Sequence, residues 1–481
     1  MGEVASKRTD LWHEKGTRVS LPFSERKVLL GVLDLLAINS ALLLVAWLRL
    51  GESLSLSTIA RHPHWFILLT ALWLLFAAAF DAYDLGAASV LRTSLRRAFQ
   101  AAAPVLVLYA AIPYITPPLL GSRLTIGLFP VFAFGLLLGG RGLYVLVLAQ
   151  PRFRRPTLIV GAGKAGRALA EALSNCGNPC YEIVGFVDDD PKKQATDLVV
   201  GQGRFKVLGD SRALKSIVAQ HGISTIVLAI TREVNGELLQ VLMDCLELGV
   251  DIIPMPVLYE ELTGRVPIEH VGSNWYVAMP LDHPGSHPLR SIVKRAFDIV
   301  SASLGMLFLG VALPFIALAI YMDSPGPIFY TQERVGKGGR TFKVYKFRSM
   351  VPDAEQGKAV WAKKDDPRVT RVGRLLRKTH VDEFPQFLNI LKGEMSAVGP
   401  RPERPEFVEE LAREIPFYRV RHAVKPGMAG WGLVKQGYGA SKEDAVLKLQ
   451  YDLYYIKHQS LWLDMVILLK TVLDTLTLRG R

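Results

Sequence analysis

The sequence predicts a three-part chain: four transmembrane helices, then an α/β Rossmann-like domain, then an α-rich domain carrying one further apolar segment. Three observations predict it. Apolar runs open the chain, a glycine-rich strand-to-helix turn sits near its middle, and an acid pair lies inside an arginine array in the last third. The boundaries fall at residues 1–150, 151–280 and 290–481. A length of 481 residues suits about three domains.

The membrane part comes first. The runs Val28 to Leu48, Trp65 to Phe80, Ala98 to Tyr114 and Leu124 to Leu148 approach or reach the ~20 residues that span a bilayer. Lys and Arg number six before the first run, then two, three and one in the successive loops, and four from Arg141 to Arg155. This alternation puts the N-terminus and the chain after Arg141 in the cytoplasm. Asp34 lies inside the first run but close to its cytoplasmic edge, which favours a structural task over a functional one. The polar stretch before the first run is unlike a cleavable signal peptide. A formal charge of +13 calls for anionic partners: nucleic acid, phosphorylated metabolites or a membrane surface; the motifs below keep the last two, with no nucleic acid. Cys176, Cys180 and Cys245 form neither a disulfide framework nor a zinc spacing and read as ordinary thiols on a reducing side.

The middle domain alternates strand and helix. Thr157 to Gly161 is a short apolar strand, Ala165 to Ser174 an alanine-rich helix, and Ile183 to Val187 a strand ending in Asp188-Asp189-Asp190. The turn Gly161-Ala-Gly163-Lys-Ala-Gly166 matches G-x-G-x-x-G in a strand-to-helix context. No Tyr-x-x-x-Lys follows, so no cofactor-binding residues are assigned here and a scaffolding or regulatory role stands ahead of nucleotide binding.

Chemistry concentrates between Asp365 and Glu403. Arg371, Arg374 and Arg377 recur every third residue, with Lys378 beside them, Asp382-Glu383 directly after, and Arg401 between two prolines. Five cations around two acids suit a multiply charged anion with a hard metal ion, as in phosphoryl transfer, while a solvated helix face is the plain alternative. Just upstream, the 27-residue apolar run Ala296 to Met322 should by hydropathy carry this cluster across the membrane. Pro314 interrupts that run and favours a bend, which would let both flanks stay in the cytoplasm. Leu461 to Leu478 is broken by Asp464, Lys470 and Asp474 and suits either an interfacial helix or a packed surface helix.

From Lys294 onward the chain resembles the bacterial sugar transferase family, the polyprenyl-phosphate hexose-1-phosphate transferases or monotopic phosphoglycosyl transferases. The resemblance rests on ordered blocks: Lys294-Arg-Ala-Phe-Asp298, Ser324 to Gly336, Phe342 to Met350, Asp382-Glu383, Gly399-Pro-Arg-Pro402, Val424-Lys-Pro-Gly427 with Gly430-Trp431, and Tyr451 to Tyr455. Four spans and a Rossmann-like domain upstream look like the long form. The wording of Gly399 to Glu410 and of Tyr438 to Ser441 resembles members serving exopolysaccharide or capsule assembly.

The resemblance implies that a UDP-sugar and undecaprenyl phosphate give undecaprenyl-diphosphate-sugar and UMP at the cytoplasmic face of the bacterial inner membrane. It implies Asp382 as nucleophile forming an aspartyl-phosphosugar, with Glu383 holding Mg²⁺. Arg377 and Arg401 are expected as phosphate clamps, and Lys346 and Arg348 as further phosphate-binding candidates. Pro314 would break a re-entrant membrane helix that keeps the catalytic domain on one side. His380 as a general base and Trp431 as a uracil platform are weaker expectations than packing. A homodimer through the middle domain or the bundle is left open, as is the sugar. A membrane-anchored sugar-nucleotide dehydratase or epimerase would need the missing Tyr-x-x-x-Lys, and a non-enzymatic lipid-binding assembly protein would leave Asp382-Glu383 unexplained.

Overall fold

The structure is a computed structural model. It describes residues 23–50, 56–112, 116, 123–175, 177, 180–194, 197–201, 203–231, 234–270, 288–352, 354, 366–437 and 441–477. Cys176, Asp365 and residues 438–440 therefore lie outside the described residues. The chain divides into two compact units, 1–255 and 256–481. The sequence places the end of the middle domain near 280. Instead, residues after 255 join the second unit, where Gly264 accepts from Trp431 Nε1 at 3.1 Å and Glu260 pairs with Lys457 at 2.9 Å.

In the first unit, helices overlap the four expected runs: Phe23–Leu50, Pro63–Ala79, Leu91–Ala111 and Arg123–Leu143. Glu25–Arg49 and Gly127–Leu148 are long and apolar enough to cross a membrane. Pro63–Ala79 has 17 residues, about 26 Å, near the lower limit for a span. Leu91–Ala111 opens on Arg92, Arg96 and Arg97. Asp34 is fully committed to structure, as expected. Arg141 reaches it with Nε at 2.9 Å and Nη2 at 2.5 Å, and spends its third nitrogen on Ala82 O and Ser94 Oγ. Both side chains are buried, so the fork satisfies a carboxylate that could not be left unpaired there.

The sheet of this unit has the order β3-β4-β2-β1-β5-β6. Its strands are β1 Arg155–Val160, β2 Tyr181–Val187, β3 Asp197–Val200, β4 Gly203–Gly209, β5 Thr225–Leu228 and β6 Asp251–Pro254. All neighbours are parallel except the edge hairpin β3–β4. The parallel order runs outward in both directions from β1, as in dinucleotide-binding folds. The turn after β1 explains two of its glycines: a Cβ at Gly161 (φ 113°) would lie 2.8 Å from Ala229 O, and one at Gly166 2.0 Å from Gly161 O. Its Ala162 amide is already taken, donating to Asp188 Oδ2 at 2.8 Å beside Lys193.

The second unit is organised around the 36-residue helix Pro288–Asp323. Asp298, Ala302, Leu309 and Ile320 are buried along it, and Met306, Leu313 and Ile316 pack into the cluster with Phe347, Leu376 and Phe384. These positions, with Gly305 set close against the Phe387 ring, advance by three and four and so form one helical stripe. The stripe crosses Pro314, so the whole apolar run stays against the domain. The opposite face, including Leu304, Leu307, Phe308, Val311, Phe315 and Leu318, is exposed.

Both ends of this helix are fastened. Arg295 caps the carbonyls of Ile390 and Leu391 at 2.6 and 2.7 Å, and Asp298 Oδ1 accepts from Ser396 Oγ and Ala397 N. At the far end Asp323 accepts from the Val372 amide at 2.8 Å. The remaining scaffold is an antiparallel hairpin, β7 Phe329–Val335 with β8 Thr341–Phe347, and a parallel pair, β9 Ser396–Val398 with β10 Gly427–Ala429. Helix Leu461–Leu476 buries Asp464, Val466, Ile467 and Lys470, so two of its three charges serve packing within the unit.

Candidate active site

Asp382 and Glu383 occupy the first turn of a short 3-10 helix, Val381–Gln386, which runs into the helix Phe387–Lys392. Pro385 sits within that 3-10 helix, and His380 precedes it at φ 55°. A non-glycine residue in that region costs on the order of 1 kcal/mol, a strain placed two residues before Asp382. Both acids are buried.

Three elements converge on them. On β8, Lys346 shares a strand face with buried Val344 and donates to Glu383 Oε1 at 2.8 Å. From the loop after β9, Arg401 forks onto Glu383, Nη2 to Oε1 at 2.5 Å and Nη1 to Oε2 at 3.1 Å. From the helix Arg371–Lys378, Arg377 holds Ser349 Oγ at 3.0 Å through Nε and lowers the Asp382 pKa by its charge.

The two acids are driven apart. Burial first, and then the charge of Glu383, push Asp382 up to about 6 against the pull of Lys346, Arg377 and Arg401. Burial would also raise Glu383, but Arg401 and Lys346 outweigh it and hold that carboxyl well below its ordinary value. Lys346 is itself lowered, because burial outruns its pairing with Glu383. The result is one permanently ionised carboxylate beside one poised near neutrality, the separation of roles that acid–base and nucleophilic sites use.

Of the expected array, only part reaches the acids. Arg371, Arg374 and Lys378 are exposed. Each i+3 step falls about 60° short of a full turn, so Arg371 and Arg377 point some 120° apart. For the first two arginines and Lys378 the solvated-face reading is therefore correct. Arg348 also takes another task than phosphate contact. Its guanidinium donates to Ser324 O and to Pro325 O (3.3 Å for the latter), tying down the exit from the long helix.

Arg334, Arg421 and Asp452 were not singled out in the sequence. Arg334 on β7 is half-buried near Arg401 and Glu383, and donates to Pro402 O at 3.1 Å. Arg421 donates to Arg401 O at 3.0 Å, to Asp452 Oδ2 at 2.8 Å and to the Tyr418 hydroxyl at 2.7 Å. It thereby fixes the backbone that carries the Glu383 clamp. Asp452 lies in the Tyr451 to Tyr455 block and Arg421 three residues before Val424, so the blocks were the available signal. The glycines of two further blocks make this loop possible: a Cβ at Gly427 would fall 2.0 Å from Gly399 N, and one at Gly399 2.5 Å from Lys425 O. Trp431 is core, with its indole stacked on Tyr454. Asn389 ties β8 to the site helix through Tyr345 N and Lys343 O.

Residues 289–478 match the family described as bacterial sugar transferase. The UDP-glucose:undecaprenyl-phosphate glucose-1-phosphate transferase of Escherichia coli (strain K12) is 33% identical over 321 residues, 66% of this chain and 67% of that protein. The chain belongs to the bacterial sugar transferase family. An Aeromonas hydrophila UDP-N-acetylgalactosamine-undecaprenyl-phosphate N-acetylgalactosaminephosphotransferase is 42% identical over 245 residues, covering 51% of this chain and 57% of the relative. The exopolysaccharide production protein PSS of Rhizobium leguminosarum bv. phaseoli is 43% identical over 199 residues, 40% of this chain and 98% of that one. Residues 78–256 match a family described as a CoA-binding domain. The transferase match begins at the long helix and contains every residue of the acid cluster.

Magnesium remains to be weighed against the donor set. Among the described residues no three His, Cys, Asp or Glu side chains cluster as a metal site. An ionised carboxylate offers about four lone-pair directions, and Glu383 has given three to Lys346 and Arg401. One direction remains, which fits an ion taking most of its ligands from a diphosphate and water.

Proposed function

We propose that this protein transfers a sugar 1-phosphate from a UDP-sugar to undecaprenyl phosphate, opening the assembly of an exopolysaccharide or capsule. The observation that carries the reading is the buried Asp382–Glu383 pair, one acid poised near pH 6 and the other held ionised by Arg401 and Lys346. The relatives' names supply the substrate classes: a sugar phosphate and undecaprenyl phosphate in the Aeromonas and Escherichia proteins.

The ionised Asp382 carboxylate attacks the β-phosphorus of the UDP-sugar. A carboxylate–phosphorus bond forms, the bond to the bridging oxygen breaks, and UMP departs with the electron pair. An oxygen of undecaprenyl phosphate then attacks the same phosphorus and expels the carboxylate. Arg377 and Arg401 bind the charged oxygens, and Lys346 balances the charge as it changes. Glu383, with its remaining lone pair, would hold Mg²⁺; bound there, the ion supplies charge neutralisation at the diphosphate.

In this reading the four N-terminal helices cross the inner membrane, and the Pro288–Asp323 helix enters the cytoplasmic leaflet and returns without crossing, bending at Pro314. Supporting this, its inner stripe stays on the domain at both ends while its other face is apolar and exposed. The soluble donor and the lipid-bound acceptor then meet at one surface.

The test is to incubate membranes carrying the full chain with radiolabelled UDP-sugars and undecaprenyl phosphate. Label should pass into the organic phase for wild type and not for Asp382→Asn. Equal labelling by both would refute the assignment.

A further inference from the structure

A charged cavity in the second unit contains none of the acid cluster. It has a volume of about 630 Å³ and lies where the first turn of the long helix, Leu289 to Val293, meets Ser460 and Leu461 at the start of the last helix. This is the size range of a small-ligand site. Two helix N-termini border it, and both favour an anion.

Its charges do not cancel. The two acids on its wall are satisfied within the protein: Asp298 by Ser396 and Ala397, and Asp464 by Lys294 at 2.8 Å and the Tyr455 hydroxyl at 2.7 Å. Arg295 is spent on the Ile390 and Leu391 carbonyls. That leaves Arg290, Lys337 and Lys425, which form no ion pair among the described residues. Lys425 is half-buried, and its pKa is lowered by burial and then by the nearby charge of Arg295, with Lys337 adding to it. Like charges gathered around a partly dry cavity are costly unless an anion joins them.

The rim is apolar. Leu289, Val293 and Leu461 line the cavity and are exposed, and Ile292 and Trp462 are exposed on the same two helices. We propose that this cavity binds the phosphate headgroup of an anionic phospholipid, with Lys337, Lys425 and Arg290 around the phosphate and the acyl chains along Leu289 and Ile292. The lipid is a resident ligand that seats the base of the long helix, separate from the lipid acceptor of the reaction. The inference uses the membrane placement of that helix and not the roles given to Asp382 and Glu383.

The full chain, reconstituted in phosphatidylcholine nanodiscs, is tested with spin-labelled phosphatidylglycerol against spin-labelled phosphatidylcholine. Wild type should immobilise the anionic lipid preferentially. Lys337→Gln with Lys425→Gln should reduce that preference by about fivefold for each charge removed, whereas Lys442→Gln, on an exposed helix end, should leave it unchanged. Lys337→Arg with Lys425→Arg should keep it, which separates lost binding from lost folding. An unchanged preference in the Gln pair, or its loss in the Arg pair, overturns the proposal. Displacement of the labelled lipid by millimolar inorganic phosphate would assign the cavity to a free phosphate instead and overturn the lipid assignment.

Discussion

Arg401 grips Glu383 through two guanidinium nitrogens, at 2.5 and 3.1 Å, and Arg421 grips the Arg401 carbonyl in turn. This chain of contacts makes Glu383 a fixed negative charge beside Asp382 and explains why the two neighbouring acids behave differently.

Asp382 sets a pH dependence for the reaction. Only its ionised form attacks phosphorus, and its pKa stands near 6. The turnover rate should therefore fall about tenfold per pH unit below that value, measured with donor saturating. A rate flat down to pH 4.5 would contradict the assignment.

The same shift makes Asp382 a cost to the fold. Its folded pKa lies above its ordinary 3.8, so its stabilising contribution is complete below that value and is lost as pH rises through about 6. At pH 7, Asp382→Asn should raise stability by on the order of 2 kcal/mol while abolishing transfer. Thermal unfolding in detergent reads the first effect and product formation the second.

Glu383 acts in the opposite sense. Its depressed pKa supplies stability above the ordinary 4.5 that disappears as pH falls. Glu383→Gln leaves the half-buried Arg401 and Lys346 without their anion and should cost about 1–3 kcal/mol, seen as a lowered thermal midpoint. A midpoint within a degree of wild type would mean that the cluster is wetter than its burial implies.

The chain shows what a sequence displays openly and what it hides. The strand-to-helix turn at Gly161, the four N-terminal helices and the acid pair were legible, because periodicity, glycine spacing and charge are local. Arg421 was not: its value comes from Arg401 O and Asp452, which are 20 and 31 residues away. Arg371 and Arg374 misled for the opposite reason, since spacing by three brings residues near one face without pointing them at one target. Arg348 looked like Lys346 two residues before it, yet it lies one residue past the last paired position of β8, Phe347, where its guanidinium turns to the Ser324 carbonyl.

Gly305 gives a packing test. A Cβ there would lie 2.4 Å from the Phe387 ring, so Gly305→Leu should push the long helix off the site helix. The expected cost is about 1–3 kcal/mol, with faster proteolysis between residues 324 and 350. Normal protease resistance would show that the helix is not seated there.

The placement of the long helix is open to labelling. In a cysteine-free chain, a single cysteine replacing exposed Lys442 should react with an impermeant maleimide in inverted vesicles and not in intact spheroplasts. The reverse pattern would mean that Pro288–Asp323 crosses the bilayer.

The most direct test is to mix the purified full chain with a UDP-sugar in the absence of lipid acceptor, quench in acid and map the peptides by mass. A sugar-phosphate adduct should form on Asp382 and disappear when undecaprenyl phosphate is added. An adduct on any other residue, or product formation with no adduct at any time, would contradict that assignment.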